Sequence, residues 1–320
     1  MRLIERLLPH DTRYDFIRYR LIAFGITALL ILGSITSIVV KGFNFGIDFA
    51  GGILVEAQST TGPADLHGMR ATLGGLGLGE VSLQEFGTTG RDVMIRVQRQ
   101  EGDEKVQMAA LGKVKEALGE GFSYRRVEIV GPKVGGELVR DGVLAVALSL
   151  LAIAVYVWFR FEWQFGVGAL ISTFHDVITT FGLFSITGME FNLTTVAAIL
   201  TIAGYSVNDT VVEYDRVREN LRKYKTMSLY ELLNLSINET LARTILTVST
   251  VFVTVLALLM FGGDVLHGFS VAMLWGLIIG TYSSIYVAMP MLVYFNLRTG
   301  KDRAEDEAKA EAAAVGEKAP

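Results

Sequence analysis

Residues 21–40, LIAFGITALLILGSITSIVV, form twenty consecutive positions without a charge. At about 1.5 Å per residue, that run crosses the ~30 Å hydrocarbon core of a bilayer. Five more runs, uncharged or nearly so, follow at residues 143–159, 165–187, 193–212, 245–261 and 269–295. Mean hydropathy is +0.42, with 51% hydrophobic and 19% charged residues over 320 positions. That is too apolar for one water-soluble domain. The pattern predicts an α-helical polytopic membrane protein with six transmembrane helices. The first run continues into Lys41 without a small-residue cleavage site, so it reads as an anchor and not as a removed signal.

Short flanks set the expected orientation. Arg2, Arg6, Arg13, Arg18 and Arg20 precede the first span; Arg216, Arg218, Arg222, Lys223 and Lys225 follow the fourth; Arg298, Lys301 and Arg303 follow the sixth. Residues 186–192 and 262–268 contain no Lys or Arg. Both termini are therefore expected in the cytoplasm. The division that follows is a cytoplasmic N-terminus at residues 1–20, a first span at 21–40 and an extracytoplasmic domain at 41–138. A five-helix remainder at 139–298 includes a cytoplasmic loop at 213–243, and a mobile cytoplasmic tail, Ala-rich and charged, occupies 299–320.

Within the outer domain, Ile53, Val55 and Ala57 alternate with Leu54, Glu56 and Gln58, and Val93, Ile95 and Val97 alternate with Met94, Arg96 and Gln98. Both stretches read as half-buried strands. Residues 80–86 and 122–130 are further strand candidates, with residues 87–90 closing a hairpin. Helix signals lie at Pro63, leading to Leu73, and at Asp103, a cap before Val106, Ala110, Val114 and Leu118. The order β-α-β-β-α-β predicts a small α+β ferredoxin-like domain.

Several classes are disfavoured. A formal charge of −4 and a pI near 5.7 leave no broad basic surface for nucleic acid. There is no cysteine, and His10, His67, His175 and His267 are scattered without ligand spacing. No metal site or cofactor is expected, and no cluster of nucleophile and base points to an enzyme.

Ionisable groups inside spans are costly and mark function. Asp176 falls about 16 Å into the third span, near the midplane. Asp209 lies about 24 Å down the fourth span, and Arg243 lies about 27 Å before the end of the fifth. Opposite charges at one depth predict a pair, either a proton-exchanging couple or a static ion pair that fixes packing. Tyr205 and Thr201 share the stripe of Asp209, with Asn208 and Ser206 close by, as a hydrated path would require. His175 is expected to point about 100° away from Asp176 and to serve packing. Gly276, Gly280 and Ser284 form a small-residue face for close helix approach, and Pro290 is expected to bend the last span.

In chain order, FNFGIDFAGG at residues 43–52, VGPKVGGEL at 130–138, FRFEWQF at 159–165 followed by His175 and Asp176, AGYSVNDTVVEYDRVREN at 203–220 and ETLART at 239–244 resemble the SecD/SecF family. FGGDVLHGFS at 261–270 and GTYSSIYVA at 280–288 extend the similarity to the last helix. The resemblance implies a proton-driven accessory of bacterial preprotein export in the inner membrane, distantly similar to resistance-nodulation-division exporters. It implies SecD, the SecYEG translocon and YajC as partners, along with the translocating preprotein and the lipid bilayer. Asp209 and Arg243 match the family's proton-pathway positions, and Gly46, Asp48, Gly51 and Gly52 belong to its first motif. Half of a small-molecule or lipid exporter, or a non-conducting assembly scaffold, are the competing readings.

Overall fold

The structure, a computed structural model, describes residues 12–87, 89–295 and 297. Expectations for residues 1–11 and 298–320, the tail included, lie outside the described residues. Among those described, six helices are long and apolar enough to cross a membrane. They are α1 (Arg20–Lys41), α5 (Pro132–Arg160), α6 (Trp163–Thr187), α7 (Leu193–Lys223), α8 (Leu229–Phe261) and α9 (Gly263–Ser283) with its continuation to Tyr294. The apolar windows of α6, α7 and the last helix are mostly buried within the chain, whereas α1, α5 and α8 turn apolar surface outward. The first three form the centre of the bundle. Small residues let the helices close up. A Cβ on Gly182 of α6 would run into Ser34 of α1, and the Ser37 and Ser185 hydroxyls of the same two helices are 2.8 Å apart.

Between α1 and α5 the chain forms β1 (Asn44–Phe45), α2 (Ile47–Ala50), β2 (Gly52–Ser59), α3 (Leu66–Gly74), β3 (Val81–Phe86), β4 (Asp92–Val97), α4 (Glu104–Leu118) and β5 (Phe122–Val130). The last four strands make an antiparallel sheet in the order β3-β4-β2-β5, with Ile53 opposite Val97 and Val55 opposite Ile95. Ile53, Val55, Val93, Ile95 and Val97 pack with Met69 and Leu73 of α3 and Val114 of α4, which gives the alternation its cause. Asp103 caps α4 as expected, accepting from Val106 N at 3.3 Å. The first helix starts later than Pro63: Asp65 caps it by accepting from the N–H groups of His67 and Gly68 at 3.1 and 3.0 Å. The short β1 pairs in parallel with β6 (Glu190–Phe191), in the connection between α6 and α7.

Two expected boundaries are corrected. Residues 213–243 are not a loop: α7 runs on to Lys223 and α8 begins at Leu229. Tyr214, Val217, Leu232, Leu233 and Ile237 in these extensions are fully buried in one cluster with Ile17, Phe165 and Met289. Helix continues past the apolar window because one face of each extension still has a core to cover. Ser228 and Glu231 form a reciprocal capping box that starts α8. The second correction is α5, which starts at Pro132 and not near residue 139; proline suits a first helical position, where no N–H partner is needed. At the other end of the bundle, the α-helical pattern of the last span gives way to a π-helical turn at Ser284–Ala288 just before Pro290. The wider turn accommodates the ring and the missing N–H.

Candidate functional site

Asp176 sits fully buried where α6, α7 and α9 meet. Its Oδ2 accepts from Ser206 Oγ at 2.5 Å and from Ser283 Oγ at 2.8 Å, and Ser172 Oγ donates to Ser283 Oγ at 2.9 Å. Contrary to expectation, His175 is not turned away, since its Nδ1 lies 2.9 Å from Asp176 Oδ1. A side chain can fold back along the helix even when its Cα–Cβ direction diverges by a full residue step. The His175 Nε2 is buried without a hydrogen-bond partner. Asp176 therefore has three polar contacts that tie three helices together, and burial makes each of them count.

Asp209 occupies a different environment on α7. It is buried, and its Oδ2 has no hydrogen-bond partner. The sequence predicts a direct pair with Arg243, but no ion pair within 4.0 Å joins the two among the described residues. Arg243 lies within electrostatic range of Asp209, while its side chain is exposed on α8. Counting residues along a helix gives height and not azimuth, and the exposed position of Arg243 on α8 leaves its side chain out of ion-pair contact with Asp209. Tyr205 is half-buried one turn above Asp209, with its hydroxyl unpartnered. Thr201 and Asn208 are exposed on the outward side of α7, and Thr201 Oγ1 donates to the Ala197 carbonyl at 2.8 Å. Glu213, one turn beyond Asp209, was not singled out from the sequence. It is buried, and its Oε2 is unpartnered. The i+4 spacing from Asp209 is the signal the sequence offers, and it becomes visible once α7 continues through residue 213 to Lys223. No hydrogen bond links Asp176 to Asp209 among the described residues.

The small-residue face of the last helix packs on α7. A Cβ on Gly276 would collide with Ile202, one on Gly280 would lie 3.4 Å from Ser206 Cβ, and Ser284 Oγ is 2.9 Å from Thr210 Oγ1. These contacts are successive turns of one seam, which also brings Ser283 and Ser206 to Asp176.

The FNFGIDFAGG segment lies at the N-terminal end of α7. Asp48 Oδ2 accepts the N–H of Leu193, the first residue of α7, at 2.9 Å. Asn192 caps the helix with Thr195 in a capping box. A Cβ on Gly46 would strike the Glu190 carboxylate. Gly52 has φ +125°, and its Cβ would press on the Val97 carbonyl, so glycine is required where β2 enters the sheet. Arg96 of β4 forms an ion pair with Glu190. The α+β domain between α1 and α5 is thus fastened to the start of α7 by a backbone cap and a salt bridge. The cleft beside its sheet, about 640 Å³, is lined by polar side chains such as Glu80, Arg96 and Arg99 and by apolar ones such as Phe45, Ile47 and Leu78.

Residues 110–298 match the family described as protein export membrane protein SecD/SecF, C-terminal, and residues 36–62 match the SecD/SecF GG motif. The protein translocase subunit SecF of Rickettsia akari (strain Hartford) is 49% identical over 292 residues, covering 91% of this chain and 94% of the relative. The protein of the same name from Cereibacter sphaeroides is 43% identical over 311 residues, covering 95% and 96%. The crystal structure of SecDF, a translocon-associated membrane protein from Thermus thermophilus, superposes with a TM-score of 0.80 at 34% identity. That match covers 91% of this chain but 40% of the longer SecDF chain.

Proposed function

The chain belongs to the SecD/SecF family of protein-export membrane proteins, and from that premise we propose that it works as the SecF-type subunit of a Sec translocation accessory complex. It spans the bacterial inner membrane with both termini cytoplasmic, beside a SecD-type partner, near the SecYEG translocon and YajC, and it couples proton entry to preprotein export. Its outer β-α-β-β-α-β domain is ferredoxin-like and extracytoplasmic. It carries out no chemical reaction on a substrate.

The observation that carries the proton-coupling reading is the buried, unpartnered carboxyl oxygen of Asp209. A carboxyl clamped in a static ion pair has no reason to exchange a proton. One that lacks a donor in a low-dielectric site favours its neutral form and ionises when a cation or water reaches it. Arg243, in electrostatic range on an exposed face of α8, supplies that cation. Asp176 belongs to the same pathway through the three-helix junction, with Tyr205, Asn208 and Thr201 as polar support along α7. Rotation or tilting of α7 would be transmitted outward through Asp48 and Arg96, which join the helix end to the outer domain.

Asp209→Asn keeps the volume and removes the ionisation. In cells with equal membrane levels of the variant, the proton-stimulated part of export is lost, and normal export would refute the reading. The double variant Asp209→Asn with Arg243→Leu is no worse than the more severe single variant, because a broken unit does not break twice. Losses that multiply would show two independent roles.

A further inference from the structure

Three buried oxygens without hydrogen-bond partners recur one turn apart on α7: Tyr205 Oη, Asp209 Oδ2 and Glu213 Oε2. The i, i+4, i+8 spacing places them on one face. The adjoining α8 adds a fourth such oxygen, Thr244 Oγ1. Glu213 is the deepest of the carboxyls on this stripe, 1% exposed against 5% for Asp209. A carboxyl so placed contributes nothing to packing that glutamine or leucine would not supply better.

The charged groups nearby do not neutralise it. On α7 itself, Asp209 is like-charged when ionised, and Arg216 is engaged by Glu219 at 2.7 Å and by Glu239 of α8 at 3.0 Å. Arg243, also on α8, lies one turn beyond Glu239 and is exposed. The Arg216–Glu239 pair is itself open to solvent, with side chains 35% and 27% exposed. Asn220 extends the polar rim by donating to Glu239 Oε2 at 2.7 Å and to Ser236 Oγ at 3.0 Å.

We infer that Glu213 is the second carrier of a proton relay on α7, receiving the proton from Asp209 and delivering it to water at the Arg216–Glu239 rim. This rests on the proton-coupling reading above. Four residues of helix set the two Cα positions about 6 Å apart along the axis, a spacing that one hydrogen-bonded water between the carboxyls can bridge. The Asp209 O–H bond breaks as an O–H bond forms on the bridging water, which passes its own proton to the Glu213 carboxylate. Asp209 is left ionised in the field of Arg243, and Glu213 becomes neutral. Glu213 then releases the proton to rim water and returns to carboxylate.

The test uses this chain co-reconstituted with its SecD-type partner in vesicles that support preprotein translocation under an imposed proton gradient. Glu213→Gln is expected to lose most of the gradient-dependent stimulation while co-purifying normally, and Glu213→Asp to recover part of it. Dicyclohexylcarbodiimide, which attacks protonated carboxyls in apolar surroundings, is expected to leave a mass-identified adduct on Glu213 in the wild-type complex. If Glu213→Gln retains full stimulation while Asp209→Asn loses it, the relay is wrong and proton coupling stands. If both retain it, the coupling reading itself has failed. If Glu213→Gln does not assemble, the adduct decides: an unmodified Glu213 overturns the relay, and a modified one supports it.

Discussion

Replacing Gly276 by alanine adds one methyl group where the bundle has no room. A Cβ there would overlap Cγ1, Cδ1 and Cγ2 of Ile202. Ile202 is 2% exposed, so it has nowhere to turn, and the last helix must move away from α7. Overpacking of this kind costs about 1–3 kcal/mol. Alanine returns up to about 1 kcal/mol in helix propensity, so the net loss is up to about 2 kcal/mol. Two other glycines serve as internal standards. Gly204, on the outward side of α7, has nothing within 4 Å of an added methyl, and Gly280 would place one 3.4 Å from Ser206 Cβ. Gly204→Ala and Gly280→Ala, whose methyl would make only ordinary van der Waals contact, should therefore be neutral or slightly stabilising and Gly276→Ala the least stable. The expected gap between the first and last is about 1–3 kcal/mol, roughly a factor of 5–150 in the unfolding equilibrium. The assay is unfolding of the purified chain in mild detergent, titrated with SDS and followed by far-UV circular dichroism. Equal midpoints for Gly276→Ala and Gly204→Ala would refute the close seam between α7 and the last helix, and with it the assembly of Ser206 and Ser283 around Asp176.

Asp48→Ala should fray the N-terminal end of α7 at a cost of about 1 kcal/mol, the usual value of a lost helix cap, and should speed hydrogen exchange at Leu193; unchanged protection would remove the cap. In a chain without native cysteine, Lys225→Cys should label from the cytoplasmic side and Lys105→Cys from the opposite side; reversed labelling would invert the topology. The hydroxyl of Tyr230 donates to Asp15 at 2.6 Å and holds its carboxyl below the ordinary value of 3.8, with help from Asn234. A depressed carboxyl contributes stability that is present above its unfolded value and lost as pH falls through the folded one. The strap of residues 14–17 onto α8 should thus loosen only in acid below the ordinary carboxylate range. Tyr230→Phe should move the Asp15 titration, followed by carboxyl carbon NMR, upward; an unmoved midpoint would show that the bond is not made.

Six spans were legible because a bilayer imposes a length and a composition on any segment that crosses it, and the runs beginning at Leu21, Val143, Phe165, Leu193, Ile245 and Phe269 meet both. The strands of the α+β domain were legible for a similar reason, since a sheet with one buried face writes a period of two into residues such as Ile53, Val55, Val93 and Ile95. Helix ends were harder to read. Hydropathy ends α7 at Val212, but Tyr214 and Val217 still have a core to meet, and the Ser228 and Glu231 cap that starts α8 is a local signal that a hydropathy window does not register.

The candidate site divides along the same line. Asp176, Asp209 and Arg243 become candidates from the cost of charge in hydrocarbon, which depends only on chain position and depth. Which groups they meet does not follow from it. Depth along a helix follows from counting residues, whereas the direction of a side chain depends on how each helix is rotated against its neighbours, and that is set by long-range packing such as Gly276 on Ile202. The sequence alone therefore determined the spans, the strand pattern and the presence of Asp176 and Asp209 within apolar helices. Only the tertiary structure decided that Asp176 joins His175, Ser206 and Ser283, that Arg243 stands off from Asp209, that Glu213 lies buried below it, and that Asp48 caps the helix carrying both. Rotation about a helix axis is a property of the packed bundle and not of any one segment.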